Sequence, residues 1–150
     1  MVEHIDVRVL VSRDIDAVAT LDSIDDHHSN YTSEEYAKFI TKRKCIIPFV
    51  VEVDDEIAGA CVLMVQKKEL IVLHFFVTEK HRRNGAGTTM IDSVGRSFPQ
   101  KDIVCCVPST LDGNEYARQA FMEKNGYHLC KVIKGDTRVF MFRKGKRHAV

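Results

Sequence analysis

Hydrophobic positions are densest near the middle of the chain, where the sequence LIVLHFFV runs from Leu70 to Val77. Only His74 interrupts this run, and the other residues are mainly β-branched or aromatic. Their number and type predict a β-strand, and apolar residues on both of its faces predict a central strand that is covered on both sides. By strict alternation, His74 faces the opposite side of this strand from Glu69 and Ile71.

A helical pattern follows the strand, and a short basic loop with two glycines, KHRRNGAG, joins the two elements. At a helix start, several backbone N–H groups lack intrahelical partners and carry partial positive charge. Gly85 and Gly87 remove the Cβ atoms that would hold a ligand away from these groups, and Arg82 and Arg83 add full charges. The combination predicts an anion site suited to phosphate, while the alternative is an ordinary glycine turn with solvated basic residues. The apolar face of the helix consists of Ala86, Met90, Ile91, Val94 and Phe98.

The rest of the chain alternates between strand and helix patterns. Ser12 or Asp14 can begin the first helix, and Thr32 with Glu35 forms a capping box at the second. Pro48 is expected to end the connection before the second strand, and the second, third and fourth strands are expected to form an antiparallel meander. The predicted strands are 7–11, 49–53, 57–66, 70–77, 103–107, 127–133 and 138–142.

Composition narrows the class of protein. The chain has 150 residues, which favours a single domain over 1–150 with a substantial core. A formal net charge of +1 gives too little basic excess for a nucleic-acid-binding surface, and no apolar run reaches membrane-spanning length. The five cysteines form no Cys-x-x-Cys pair and mostly lie in apolar runs, which favours reduced, buried thiols in a cytoplasmic protein without nucleic-acid or membrane partners.

The spacing Arg82-x-x-Gly85-x-Gly87 separates this loop from other phosphate-binding motifs. It lacks the Lys-Ser/Thr pair of a P-loop, because Thr88 follows the last glycine, and it lacks the third glycine of a dinucleotide fingerprint, because Met90 stands there. Placed after a strand that ends in FFV, it resembles the Gln/Arg-x-x-Gly-x-Gly/Ala loop that binds the acetyl-CoA pyrophosphate in the GNAT superfamily of N-acetyltransferases.

The helix near the C-terminus carries a second resemblance to this family. The sequence Asn114-Glu115-Tyr116-Ala117-Arg118, followed by Gly126-Tyr127, is similar to the family's Asn-x-x-Ala … Gly-Phe helix, with one extra residue between the two halves. Its spacing predicts an apolar inward face, and Gly126 is expected to end it in the left-handed conformation. The predicted inward face consists of Tyr116, Ala117, Ala120 and Phe121.

The resemblance covers almost the whole chain and implies both a fold and an activity. The implied fold is the α+β acyl-CoA N-acyltransferase (GNAT) fold, a mixed sheet of about seven strands with four helices in the order β-α-α-β-β-β-α-β-α-β-β. The implied activity is direct transfer of an acetyl group from acetyl-CoA, a co-substrate used without a metal, to a primary amine. The acceptor stays open between a protein N-terminus, a lysine and a small polyamine or antibiotic, and a homodimer through the last strands is common in the fold.

In this family the fourth and fifth strands splay apart, and the pantetheine arm pairs with the free backbone of the fourth strand. Carried over, main-chain groups of Phe75, Phe76 and Val77 would meet pantetheine and the acetyl carbonyl. A backbone N–H near Val77 would then stabilise the oxyanion. The residues expected to bind the cofactor are Phe75, Phe76, Val77, Arg82, Arg83, Asn84, Gly85, Ala86, Gly87, Thr88, Asn114 and Phe121.

The chain departs from the family at the acid–base residues. Many members carry a Glu six residues before the strand's final Val, where this chain has Ile71, and a Tyr general acid where it has Met122. The remaining candidates for the base are Glu69, otherwise a solvated carboxylate, and His74, otherwise a hydrogen-bonded core histidine. Tyr116 could serve as the acid only if the extra residue changes the helix phase.

Two further questions stay open at this stage. Asp25, Asp26, His27 and His28 lie where the family builds its substrate lid, so the carboxylates could attract a cationic amine. The histidines beside the aspartates could also suggest a metal, but no further ligand cluster supports one, and a solvated loop is the favoured interpretation. The missing acid–base residues also allow a different function, a catalytically silent acyl-CoA-binding or protein-interaction module on the same fold.

Overall fold

The computed structural model describes residues 4–24, 30–108, 115–135 and 138–145. Within these stretches the elements follow the order expected from the sequence, with seven strands and four α-helices. They are β1 (Ile5–Val9), α1 (Ile15–Ile24), α2 (Ser33–Thr41), β2 (Ile46–Val53), β3 (Glu56–Val65), β4 (Glu69–Val77), α3 (Ala86–Ser97), β5 (Asp102–Pro108), α4 (Glu115–Lys124), β6 (His128–Ile133) and β7 (Val139–Lys144), with 3₁₀ turns at Ser12–Asp14 and Glu79–His81.

All seven strands join one mixed sheet in the order β1-β2-β3-β4-β5-β7-β6. Neighbouring strands are antiparallel except for β4 and β5, which run parallel. The predicted meander of β2, β3 and β4 is confirmed, and β4 is the central strand of the sheet. The seven-stranded mixed sheet with four helices confirms the fold class expected from the sequence.

The helices cover the two faces of the sheet as separate layers. On one face, α3 and α4 enclose a core that includes Met90, Val94 and Met122. On the other face, α1 and α2 enclose a core that includes Val18 and Tyr36. β4 contributes buried side chains to both cores, and this explains its nearly continuous apolar sequence.

β2 begins three residues earlier than the sequence predicted, at Ile46. Pro48 therefore lies within the strand and does not end a connection. It pairs with Val62 of β3, and its carbonyl accepts a hydrogen bond from the Leu10 N–H at 2.9 Å. The missing proline N–H is tolerated because the pairing of β1 with β2 stops beside this position, at Val9.

Helix ends follow the local sequence signals at two of three sites. Thr32 caps α2 by accepting the Glu35 N–H, and the Glu35 carboxylate accepts the Thr32 N–H in return. Gly126 follows α4 with a φ of +87°, in the left-handed region expected of a terminating glycine. The first helix differs, because a 3₁₀ turn precedes α1 and Asp14 accepts the N–H of Val11 within that turn.

The inward face of α4 agrees with the prediction at Phe121 and differs from it at the other three residues. Tyr116 is 74% exposed, and Ala117 and Ala120 are exposed as well. Met122 is instead buried at 4% exposure, and Phe121 packs against the same core. Met122 takes the place of Tyr116 on the buried face because a methionine is apolar throughout, whereas a buried tyrosine hydroxyl would need a hydrogen-bond partner.

The cysteines are all free thiols. Cys61 and Cys105 are buried as expected, and burial raises the pKa of both. Cys45, Cys106 and Cys130 are exposed, so the expectation of mostly buried thiols was wrong. None of the described helices combines the length and the apolar character needed to cross a membrane.

Candidate active site

The sheet opens between β4 and β5. Their parallel pairing stops at Val72 and Cys105, about halfway along each strand. β4 then continues to Val77 alongside β3, while β5 continues alongside β7. We name this opening the β4–β5 gap, and its closed end lies at Val72 and Cys105.

Main-chain groups of β4 point into the β4–β5 gap. The Thr78 N–H donates to the Ala58 carbonyl at 2.8 Å, so backbone groups alternate from this point between the β3 side and the gap side. The N–H and C=O groups of Phe75 and Val77 therefore face the gap, and those of Phe76 face β3. Arg82 already engages one of them, because its Nε donates to the Val77 carbonyl at 2.9 Å.

The loop after β4 ends in a left-handed residue at the start of α3. Gly85 has a φ of +86°, and its carbonyl accepts the first intrahelical bond, from the Thr89 N–H at 2.9 Å. The N–H groups of residues 86–88 have no hydrogen-bond acceptor in the part of the chain that the structure describes. Arg83 also has a positive φ, +67°, a conformation that is strained for an arginine.

One polar atom of the loop, on the half-buried side chain of Asn84, has no partner among the described residues. Asn84 Oδ1 is inaccessible to solvent and accepts no hydrogen bond from any described residue. Leaving such an atom unpaired costs about 1–3 kcal/mol, so an additional donor from outside the described chain would stabilise it. Arg82 and Arg83 on the same loop are exposed.

Gly87 lies where α3, α4 and β4 meet. A Cβ atom at this position would lie 3.3 Å from the Phe121 ring and 3.5 Å from the Phe75 ring. The centroids of those two rings are 5.6 Å apart. A larger side chain at position 87 would occupy the space between the helix N-terminus and the rings, so glycine keeps this end of the β4–β5 gap open.

A β-bulge in β4 reverses the expected direction of His74. Leu63 pairs with Val72 and Val62 pairs with His74, which leaves Leu73 as an extra residue. Leu73 and His74 consequently both face α1 and α2, whereas Val72 faces the other core. The prediction from strict alternation was wrong, because a bulge shifts the alternation by one residue.

His74 belongs to a buried hydrogen-bond network centred on Asp22 of α1. Asp22 has 0% exposure and His74 has 7%. Both carboxylate oxygens of Asp22 lie 3.0 Å from His74 Nε2, and Oδ2 also accepts the Tyr36 hydroxyl at 2.6 Å and the Tyr31 N–H at 3.1 Å. Burial and the hydrogen bond to Asp22 raise the pKa of Tyr36 well above its usual range, so this hydroxyl remains a donor.

Asp22 is the candidate that the sequence analysis missed. It follows Ile15, Val18 and Ala19 at helical spacing and therefore lies on the inward stripe of α1. A charged residue on an otherwise apolar stripe requires a buried partner, because an unpaired buried charge is costly. That signal was present in the sequence.

The two remaining candidates that the structure describes, Glu69 and Tyr116, lie apart from the β4–β5 gap. Glu69 begins β4, about 26 Å from the end of the strand at the usual rise per residue, and it pairs with Arg143 at 3.1 Å. Tyr116 projects into solvent from α4. Asn114 and the acidic and histidine residues of 25–28 lie outside the described residues.

The sequence matches a known family over its central part. The family profile described as "Acetyltransferase (GNAT) domain" matches residues 46–129, which is more than half of the chain. This range includes the β4–β5 gap, the glycine loop and α4. No curated protein matches the chain at the sequence level.

Solved acetyltransferases share the fold over nearly the whole chain. The ribosomal-protein-S18-alanine N-acetyltransferase from Escherichia coli aligns with a TM-score of 0.79 at 13% identity, over 98% of this chain and 97% of that one. Arabidopsis thaliana Naa50, in complex with the bisubstrate analogue CoA-Ac-MVNAL, aligns with a TM-score of 0.70 at 15% identity, over 94% and 98%. A putative streptothricin acetyltransferase from Bacillus anthracis, in complex with acetyl coenzyme A, aligns with a TM-score of 0.72 at 17% identity, over 94% and 98%. The family match, together with this shared fold, shows that the chain belongs to the GNAT family of acetyltransferases.

Proposed function

We propose that the protein transfers an acetyl group from acetyl-CoA to a primary amine by direct attack of the amine on the thioester. The observation that carries this proposal is the β4–β5 gap, whose β4 edge leads directly to the N-terminus of α3. Membership of the GNAT family supports acetyl transfer in general. Two structures with the same fold hold acetyl coenzyme A or a CoA-containing analogue, which supports acetyl-CoA as the donor.

The pyrophosphate of acetyl-CoA is assigned to the loop before α3. Residues 86–88 offer unpaired N–H groups at the positive end of the helix dipole, where a phosphate is stabilised. Arg82 and Arg83 are exposed beside this end and add full positive charge. Gly87 leaves the approach to the amides open, so the residues present fit a diphosphate.

The pantetheine arm is assigned to the open edge of β4. The donor is a linear molecule, with phosphates at one end and the thioester at the other. A diphosphate on α3 therefore directs the arm along Val77 and Phe75 toward the closed end of the β4–β5 gap. Main-chain groups of these two residues can pair with the amides of the arm, while the rings of Phe75 and Phe121 form an apolar wall.

A single backbone N–H of β4, that of Phe75 or of Val77, is the proposed donor to the oxyanion. As the amine attacks, negative charge develops on the carbonyl oxygen of the acetyl group, and a fixed N–H dipole stabilises it. The N–H of Phe75 is the one nearer to the closed end of the β4–β5 gap, where the thioester is expected. Much of the remaining rate would come from holding the two substrates in line.

Proton transfer sets the second requirement of the reaction. A lysine-like amine has a pKa of about 10, so it must lose a proton before or during attack. The departing thiolate needs less assistance, because a thiol has a pKa of about 8.5. The burial of Met122 at the family's acid position and the exposure of Tyr116 are consistent with a thiolate that leaves unaided.

Calorimetry with acetyl-CoA tests the proposed donor. We expect binding by the wild-type protein and none by Gly87→Glu, because the new carboxylate would fill the space beside Phe121 and repel the diphosphate. Gly145→Glu is the matched control, since a Cβ at Gly145 meets nothing within 4 Å. Absence of wild-type binding at high micromolar acetyl-CoA would overturn the proposal.

A catalytically silent acyl-CoA-binding or protein-interaction module is the second candidate. Two observations favour it. The buried Met122 stands where many members of the family have their general acid, and Glu69 is already paired with Arg143. An assay of free CoA release with a panel of amines separates the two functions. Turnover with any amine rejects the silent module, and acetyl-CoA binding without any turnover supports it.

A further inference from the structure

We propose that His74 is the proton acceptor of the acetyl transfer and that Asp22 is its positioning residue. The inference rests on the proposed acetyl transfer and adds the group that makes the amine nucleophilic. It starts from two features outside the glycine loop, the bulge in β4 and the buried network on α1.

The position of His74 along β4 places it near the expected thioester. Pairing between β4 and β5 ends at Val72, so His74 lies just beyond the closed end of the β4–β5 gap. It also precedes Phe75, whose N–H faces the gap, and lies about 10 Å before Val77 at the usual rise per residue. A donor anchored by its phosphates beyond Val77 brings its thioester to this end of the strand.

The bulge in β4 sets the side of the strand from which His74 acts. Leu73 is the extra residue, and it turns the imidazole toward α1 and α2 and away from the rings of Phe75 and Phe121. The donor and the base then lie on different sides of the strand. An amine that attacks from the α1–α2 side meets the thioester carbonyl from the face opposite the donor's apolar wall.

The contacts with Asp22 determine which tautomer of His74 is present. A carboxylate only accepts hydrogen bonds, and both oxygens of Asp22 lie 3.0 Å from His74 Nε2. Nε2 therefore carries a proton, and Nδ1 is the nitrogen through which the ring takes up another. This is the arrangement by which a buried carboxylate orients a catalytic imidazole and balances the charge of the imidazolium.

The carboxylate of Asp22 is itself held in place by hydrogen bonds. Within the described stretches, donors from three residues converge on its carboxylate, namely His74, the Tyr36 hydroxyl and the Tyr31 N–H. Among the residues that the structure describes, the titratable groups that face His74 are Asp22 from α1, Tyr31 before α2, and Tyr36 from α2 through Asp22, while β3 presents Val62 opposite. The pKa of Tyr31 is raised, chiefly by burial, so both tyrosines stay neutral in the range where an imidazole titrates.

The chemical step balances without any further reactant. The amine nitrogen forms a C–N bond with the acetyl carbon, and the C–S bond breaks with its electron pair leaving on sulfur. An ammonium loses two protons from nitrogen as it becomes an amide. His74 takes the first, which frees the lone pair for attack, and the imidazolium returns this proton to water. The second leaves the nitrogen after the C–N bond has formed and goes to the departing thiolate, so the products are the amide and the free thiol of CoA.

The test compares His74→Gln and Asp22→Asn with the wild-type protein. The acceptor probes are spermidine, a lysine-containing peptide and a peptide with an N-terminal alanine, and free CoA is measured. We expect kcat for the fastest amine to fall about a hundredfold or more in His74→Gln and at least about tenfold in Asp22→Asn. Affinity for acetyl-CoA, measured by calorimetry, should stay within twofold in both variants. His128→Gln, an exposed histidine on β6, is the matched control and should keep the wild-type rate.

The pH profile distinguishes catalysis from a purely structural network. Wild-type kcat should rise with pH through one ionisation, and His74→Gln should lack that ionisation. If His74→Gln keeps the kcat of the wild-type protein, the inference is overturned and the proposed function stands. If the wild-type protein fails to bind acetyl-CoA or to acetylate any amine, the proposed function is overturned as well. If neither variant folds, the wild-type profile decides, because a kcat without any ionisation between about pH 5 and pH 9 contradicts a histidine base.

Discussion

The two sides of β4 supply different kinds of chemical group. On the side of α3 and the β4–β5 gap, the proposed donor site consists mainly of backbone N–H groups, a glycine at position 87 and two apolar rings. On the side of α1 and α2, the polar groups are side chains, and Asp22 is hydrogen-bonded to His74 and Tyr36. Main-chain sites depend on where a strand and a helix end, whereas side-chain networks depend on the identity of each residue.

That difference separates the part of the site that any chain of this fold can form from the part that belongs to this chain. Backbone amides at the start of α3 are accessible whenever Gly85 allows the turn and Gly87 leaves the approach open. The Asp22 network exists only because a carboxylate, an imidazole and a phenol are buried together. Substitutions on the two sides should therefore have separable effects.

Gly59→Ala should have the largest effect, because it moves the strand that both sides share. A Cβ atom at Gly59 would lie 2.1 Å from the Phe76 carbonyl, which is backbone and cannot move aside without displacing β4. We expect the free energy of unfolding to fall by about 3 kcal/mol, measured by urea denaturation. Gly145→Ala should be nearly neutral, and an equally small effect at Gly59 would contradict the close approach of β3 and β4.

Tyr36→Phe should weaken only the α1–α2 side. It removes one of the hydrogen bonds to the buried Asp22 carboxylate while it preserves the ring. The free energy of unfolding should fall by about 2 kcal/mol, and acetyl-CoA affinity should not change. Tyr116→Phe, on the exposed face of α4, is the control and should alter neither quantity. A loss of acetyl-CoA affinity in Tyr36→Phe would show that the two sides are not separable.

Arg82→Met should weaken only the donor side. Arg82 donates to the Val77 carbonyl, at the join between β4 and the glycine loop. We expect acetyl-CoA affinity to fall about tenfold, with a smaller dependence on salt concentration than in the wild-type protein. Arg96→Met removes an exposed arginine that pairs with Asp92 on α3, and it should leave the affinity unchanged. Equal affinities in both variants would contradict the assignment of the diphosphate.

Glu69→Gln should have the smallest effect. Glu69 lies at the far end of β4 in a partly exposed pair with Arg143, and pairs of this kind contribute about 0–1 kcal/mol. The acetylation rate of the Glu69→Gln variant should stay within about twofold of the wild-type rate. A hundredfold loss would instead assign the base to Glu69 and remove the role proposed for His74.

The sequence predicted most of the fold because its signals are local and repeated. The apolar run of β4, the capping box at Thr32 and the glycine at 126 each specify one element independently of the rest. The errors occurred where two local rules compete. Pro48 is an ordinary strand breaker, yet it is accommodated in β2 because β1 ends beside it.

The candidate site was only partly predictable for the same reason. The glycine loop has a fixed spacing in the sequence, and its place at the start of α3 is confirmed, whereas its role in acetyl-CoA binding stays a prediction. The direction of His74 depends on one extra residue in β4, and no local pattern marks a bulge of this kind. Its partner Asp22 lies 52 positions away, so the network forms only when α1 packs on the sheet.

The central claim is that a diphosphate and its pantetheine arm occupy backbone amides at the start of α3 and along β4. Amide hydrogen exchange by NMR, with and without acetyl-CoA, tests it at the level of single N–H groups. We predict slower exchange at Phe75, Val77 and Gly87 when acetyl-CoA is bound, with little change at amides of α2 such as Phe39. Unchanged exchange at these three amides in the presence of saturating acetyl-CoA would contradict the account.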